Sequence, residues 1–155
     1  MKCLNCGAEL TVKVGDYRYA AGDGLNVVLK NVKKTYCPEC GEDGVVIPKV
    51  SQLNEALAKV LASKPERLGP GEIRFLRKYL GWSGKDFAVR MGVTPETVSR
   101  WENGVRQMGE TAEKLLRFCA IELSPVDEYP VPVLKDSKRS KPIKLELSRE
   151  WAVVA

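Results

Sequence analysis

Four cysteines and one run of polar helix residues are the groups in this 155-residue sequence best placed to do chemistry. Cys3-Leu4-Asn5-Cys6-Gly7 and Cys37-Pro38-Glu39-Cys40-Gly41 are two Cys-x-x-Cys knuckles with thirty residues between them. Two residues between ligands let both sulfurs of a knuckle reach one ion, and the following Gly permits the sharp turn this requires. Paired knuckles complete a closed tetrahedral site, which is a structural arrangement, since a catalytic zinc keeps one position for water. Disulfides and free thiols are the alternatives. Disulfides fit an intracellular chain poorly, and a redox pair needs only one knuckle. One structural Zn²⁺ on Cys3, Cys6, Cys37 and Cys40 is therefore expected. Cys119, in the apolar run Leu115, Leu116, Phe118 and Ile121, reads as plain core.

The sequence has no histidine, which removes Ser-His-Asp and Cys-His nucleophile chemistry. No catalytic residue is assigned, and a binding protein is expected rather than an enzyme. A formal net charge of +5 favours a polyanionic partner, although four thiolates and one divalent ion would lower it by two. No apolar run approaches the roughly 18 residues of a membrane helix, and no secretory signal opens the chain, so no membrane partner and a cytoplasmic location are expected.

The second chemical stretch is Leu80 to Gly104. Ser83 is placed to cap a helix whose inner face is Phe87, Ala88 and Met91. Gly92 then leaves that helix through a left-handed turn, with Val93 as a buried turn residue. Thr94 caps a second helix, Pro95 fits its first turn, and Gly104 stops it. Val98 and Trp101 point inward; Glu96, Thr97, Ser99 and Arg100 are left outward. This is the pattern of a helix-turn-helix with its second helix in the major groove. Arg100 is the best base reader, because a guanidinium bonds bidentately to guanine O6 and N7. Glu96 could accept from cytosine N4, and Thr97 could touch a thymine methyl or a phosphate. Ser83, Lys85, Thr94, Asn103 and Arg106 are the expected phosphate contacts, fixing register without reading sequence.

These residues carry a family resemblance. Gly-Val-Thr-Pro-Glu-Thr-Val-Ser-Arg-Trp-Glu-Asn-Gly resembles the turn and recognition helix of Xre/Cro-like repressors. An N-terminal zinc knuckle, strands, the segment Tyr-Cys-Pro-Glu-Cys-Gly-Glu and then a helix-turn-helix is similar to the MqsA (YgiT-type) antitoxins over roughly residues 1–124. The resemblance implies that Cys3, Cys6, Cys37 and Cys40 are the zinc ligands and that the N-terminal module binds a cognate toxin. It also implies that the C-terminal module is a homodimer on a palindromic double-stranded DNA operator. That family also uses an arginine at the place of Arg100; Glu96 stands where it can carry asparagine, so the operator does not transfer. The expected function is a transcriptional repressor acting as the antitoxin of a type II toxin–antitoxin pair. The alternatives are a stand-alone zinc-containing regulator and a zinc-ribbon RNA binder, the latter requiring exposed sheet aromatics among Tyr17, Tyr19 and Tyr36.

The elements that must position these groups give an α+β chain of two modules: a small β-rich Cys₄ module and an all-α, five-helix Xre-like domain, with a partly extended C-terminal tail. Leu10, Val12 and Val14 alternate with Thr11 and Lys13, and Val27 to Val32 form a second strand. Gly15-Asp16 and Ala21-Gly22-Asp23-Gly24 mark turns. Ser51 is expected to cap a helix bearing the stripe Leu53, Ala56, Leu57, Val60 and Leu61. The helix from Glu72 presents Ile73, Leu76 and Leu80 inward and Arg74, Arg77 and Lys78 toward phosphates. Of the apolar residues between Glu110 and Glu122, some seal the domain and others form a dimer contact. The divisions are 1–50 zinc module, 51–69 linker helix and hinge, 70–124 helix-turn-helix domain and 125–155 extension. In the extension, Pro125, Pro130 and Pro132 precede a basic, mobile run with Lys135, Lys138, Arg139 and Lys141. Residues 142–148 alternate like a strand ahead of Trp151, which packs on its own protein or adds to a partner's sheet.

Overall fold

A computed structural model describes residues 1–19, 24–122 and 141–155. Among the described residues, five strands and five helices follow in the order β1 (Thr11–Tyr19), β2 (Val27–Tyr36), β3 (Asp43–Val46), α1 (Val50–Ser63), α2 (Pro70–Tyr79), α3 (Gly84–Met91), α4 (Pro95–Glu102), α5 (Glu110–Glu122), β4 (Ile143–Leu147) and β5 (Trp151–Val154). Two compact units result. One holds Met1–Tyr19, Asn26–Leu53 and Lys141–Ala155, and the other is helical, running from Asn54 through α5. The expected turn at 21–24 and the Pro125 to Arg139 segment fall outside the described residues, except for Gly24.

The first unit is one sheet in the order β1-β2-β4-β5, with β3 also on β2. β1 and β2 are antiparallel, paired Gly15 to Val32 and Tyr17 to Leu29, so Lys30 and Asn31 together face Asp16. Asn31 accommodates the bulge at φ +55°, a conformation its short polar side chain tolerates. The extra residue puts Val32 on the same face as Val27 and Leu29, and all three are buried. Parallel pairing of Val27–Lys30 with Ile143–Glu146 brings the end of the chain into this sheet, and β5 turns back on β4. Leu145 is fully buried, and the Trp151 indole donates to the Pro48 carbonyl at 2.9 Å.

The apolar alternation of β1 is not a core face. Val12 and Val14 lie opposite Thr35 and Lys33, on the side away from Leu29, and both are exposed. Strict alternation gives the two faces of a strand but not which one is covered. Tyr36 is exposed, while Tyr17 and Tyr19 are half-buried.

In the helical unit, α1 buries Leu57, Ala58, Leu61 and Ala62 at i, i+1, i+4 and i+5. It starts at Val50, so Ser51 sits inside its first turn and is not the cap. α2 buries Ile73 and Leu76, as its pattern predicts. Its basic side departs from expectation: Arg77 donates to the Glu102 carboxylate and to the Trp82 carbonyl, holding helices together and not facing phosphate. α5 divides its apolar residues. Leu116, Ala120 and Ile121 are buried, whereas Leu115 and Phe118 are exposed and Cys119 is only half-buried. Among the described residues no helix is long and apolar enough to cross a membrane.

Candidate nucleic-acid interface and metal centre

The two knuckles fold alike. In each, the amide of the Gly donates to the carbonyl of the first Cys, Gly7 to Cys3 at 2.9 Å and Gly41 to Cys37 at 3.0 Å. Both glycines stand at φ near +75°, a conformation that strains any side chain. The four Sγ atoms lie within 4.8 Å of one another, with Cys3–Cys40 at 3.6 Å and Cys6–Cys37 at 3.4 Å. Tetrahedral ligands about 2.3 Å from an ion stand roughly 3.8 Å apart, so the cluster fits one metal ion with slight expansion. Ala8's amide favours the Cys6 thiolate, but the hydrogen-bonded sulfurs of Cys37, Cys40 and Cys3 push its pKa up to about 12. Four crowded sulfurs resist ionising together unless a cation joins them. Cys3 and Cys37 are buried and Cys6 and Cys40 exposed, so the site lies at the unit's surface.

Beside the knuckles, Met1, Leu4, Leu10, Thr35, Asp43 and Gly44 line a cleft of about 630 Å³. Leu4 and Met1 are strongly exposed there. Thr35, which lines this cleft, is the cross-strand neighbour of the exposed Val12.

In the helical unit the two caps form as the sequence predicts. Ser83 Oγ accepts from the Asp86 amide at 3.1 Å, and the Asp86 carboxylate accepts from the Ser83 amide at 2.9 Å, a reciprocal capping box. Thr94 Oγ1 accepts from the Thr97 amide at 3.3 Å, and Pro95 opens α4. Gly92 ends α3 at φ +66° with open space around it, so its backbone conformation and not crowding requires glycine. Val93 is half-buried, not the fully buried turn residue expected; the left-handed exit turns it partly to the surface.

α4 is held from behind. Val98 and Trp101 are buried, and Trp101 meets Phe87 edge-on with ring centroids 6.1 Å apart. On its front, Glu96, Ser99 and Arg100 are exposed and Thr97 is half-buried. Hydrogen bonds from its own amide and from Thr94, and then the Arg100 charge, hold the Glu96 carboxyl below its ordinary range. It is an anion on the exposed front of α4. Ser83, Lys85, Thr94, Asn103 and Arg106 are all exposed around this face. The hydroxyls of Ser83 and Thr94 are engaged as caps, and Asn103 bonds Arg74 and Ser99. Lys85 and Arg106 are the two cations among the five, and Arg106 shares a second cleft with Arg67 and Gln107.

One group escaped sequence reading. Glu113 and Arg117 are almost fully buried one turn apart on α5. Glu113 accepts from Arg67 Nε at 2.6 Å, the Leu68 amide at 3.0 Å and Arg117 Nη2 at 2.7 Å. Arg117 also donates to the carbonyls of Ala62, in the last turn of α1, and of Lys64 and Glu66 just beyond it. The stretch assigned to linker and hinge is thus bonded to α5. An i, i+4 Glu–Arg pair reads as a solvated face in sequence, and only its burial identifies it.

Residues 73–126 match a helix-turn-helix protein family. That match indicates a DNA-binding transcription regulator. No curated protein matches the chain.

Proposed function

We propose that the protein is a sequence-specific repressor that binds a palindromic duplex operator as a homodimer. We further propose that it serves as the antitoxin of a type II toxin–antitoxin pair. The observation that carries the first part is the open front of α4, with Arg100 exposed between two capped helix ends and a rigid aromatic backing. In this reading Arg100 reads guanine, Glu96 and Thr97 contact neighbouring bases, and Lys85 and Arg106 anchor phosphates. Outward Leu115 and Phe118 on α5 support dimerisation, because two-fold symmetric sites are read by paired recognition helices. The four sulfurs hold one structural Zn²⁺, since an all-thiolate closed set selects a soft metal and leaves no position for substrate. The cleft at Leu4 and Leu10, and the exposed Val12 and Val14 on the same unit, support its toxin-binding role.

Selection of duplexes from a random pool tests the operator reading. Arg100→Ala is expected to reduce discrimination at one base pair by about 1–3 kcal/mol. An unchanged specificity ratio removes Arg100 from the groove. Leu4→Asp is expected to abolish neutralisation of the neighbouring gene's product without altering operator affinity, and intact neutralisation would clear the cleft of that role.

A further inference from the structure

A chain of side-chain bonds runs from α2 into the last turn of α4. Arg77 grips both carboxylate oxygens of Glu102, Nε to Oε1 at 2.5 Å and Nη2 to Oε2 at 3.0 Å. Arg74 lies against the same residue. Its Nη2 donates to the Glu102 carbonyl at 2.7 Å and to Asn103 Oδ1 at 3.2 Å. Asn103 Nδ2 in turn donates to Ser99 Oγ at 3.1 Å. Glu102 and Arg77 are nearly covered, while Ser99 and Asn103 are exposed on the front of the helix.

Hydrogen-bond chemistry fixes the sense of this chain. A guanidinium only donates, so Asn103 must turn its carbonyl oxygen to Arg74 and its NH₂ toward Ser99. The Ser99 oxygen thereby accepts, and its proton remains for another acceptor. So does the second Asn103 N–H. Reading adenine takes one donor and one acceptor from the same amide; with its acceptor turned inward, Asn103 offers donors alone. The helix end beside it is also quenched. The carbonyl of Ser99 accepts from Asn103 N, that of Arg100 from Val105 N and Arg106 N, that of Trp101 from Gly104 N, and that of Glu102 from Arg74. The negative end of the helix dipole, which would repel an anion, is therefore met by donors on all four carbonyls.

We infer that Ser99 and Asn103 form a donor pair for one DNA phosphate oxygen, with Arg74 as the positioning residue that holds the amide in its donating sense. This rests on the DNA-binding reading and adds Ser99 and Arg74 to it. The test starts from a duplex selected by the wild-type chain, measured against a scrambled duplex. Ser99→Ala is expected to lose about tenfold in affinity, equally on both, as loss of a hydrogen bond to a charged group implies. Ser99→Thr, which keeps the hydroxyl, recovers it. Asn103→Asp is expected to melt no lower than wild type, because Asp can pair with Arg74, yet to bind both duplexes at least tenfold more weakly. Arg74→Gln weakens both similarly, and Arg74→Lys, which keeps a donor against Oδ1, restores most of the loss. Wild-type affinity in Ser99→Ala, or a loss confined to one base pair, overturns the donor pair while leaving the regulator reading intact. A wild-type chain that selects no duplex overturns both.

Discussion

The sheet unit buries a short list of apolar side chains, chiefly Val27, Leu29, Val32, Leu53, Leu145 and Trp151, together with Cys3 and Cys37. It leaves Met1, Leu4, Val12 and Val14 bare. The helical unit buries Leu57, Leu61, Ile73, Leu76, Phe87, Val98, Trp101, Met108 and Leu116, and adds the buried Arg67–Glu113–Arg117 group. At roughly 1.5–3 kcal/mol for each large apolar side chain taken from water, the helical core is self-sufficient in a way the sheet is not. On the proposed reading, a metal ion on the four sulfurs supplies the sheet's remaining stability, and part of its own core, Leu145 and Trp151, comes from the far end of the chain. If the proposed metal and partner are right, a unit stabilised by a ligand keeps apolar groups on its surface, whereas the helix-turn-helix unit is stabilised by its interior.

The sharpest way to break that contrast is to take the metal away. Chelation, or Cys37→Ser, is expected to unfold the sheet unit, since structural zinc contributes on the order of 10–16 kcal/mol in small domains. The helical unit should keep its helical circular dichroism and its operator affinity. Coincident melting of sheet and helices would show that the two do not differ as described. Next in size is Glu113→Ala, which removes the acceptor of Arg67 Nε, of the Leu68 amide and of one Arg117 Nη2 N–H, and leaves two buried cations without their carboxylate. Breaking a buried pair in this manner costs about 3–5 kcal/mol. The loss should appear in the helical melt and leave the metal content unchanged.

Leu145→Ala sharpens the comparison from the other side. A fully buried leucine shortened to alanine costs about 2–5 kcal/mol, and here it should weaken the sheet unit even with metal bound, read as an earlier sheet transition at unchanged helical melting. Residues 142–148 read as a strand from their alternation alone, but nothing local to them names β2 as the partner. Pairing with Val27–Lys30 is a non-local choice made by the exposed edge of β2 and the space over Leu29. The caps and helices of the 83–104 stretch were legible because each signal acts within one turn of chain: Ser83, Gly92, Thr94 and Pro95 bond or constrain their immediate neighbours. The cysteines were legible for a related reason, as spacing encodes ligand geometry. Burial of Glu113 and Arg117 was not, because it depends on the Ala62, Lys64 and Glu66 carbonyls some fifty residues away. The bare face of β1 escaped for the same cause. Alternation sets two faces, and tertiary contact decides which is covered.

The smallest expected effect lies at the entrance to α3, where the helical unit relies on a surface device instead of its core. Ser83→Ala removes the oxygen that receives the Asp86 amide, and N-cap losses of this kind cost about 1 kcal/mol. The reciprocal half depends on pH. Hydrogen bonds from the Ser83 hydroxyl and amide, and then the charge of Arg90, hold the Asp86 carboxyl below its ordinary value of 3.8. A carboxyl depressed in the folded state adds its stability at pH values above the unfolded pKa, and that contribution is lost as pH falls through the depressed folded value. The capping box should therefore be intact at neutral pH and fail only in strong acid. A carbon-detected titration of the Asp86 carboxyl, in wild type and Ser83→Ala, separates the two. The variant should titrate closer to 3.8, since its largest stabilising bond is gone. If the two curves coincide, the cap is a contact without consequence, and α3 is set by Phe87 and the aromatic packing behind it.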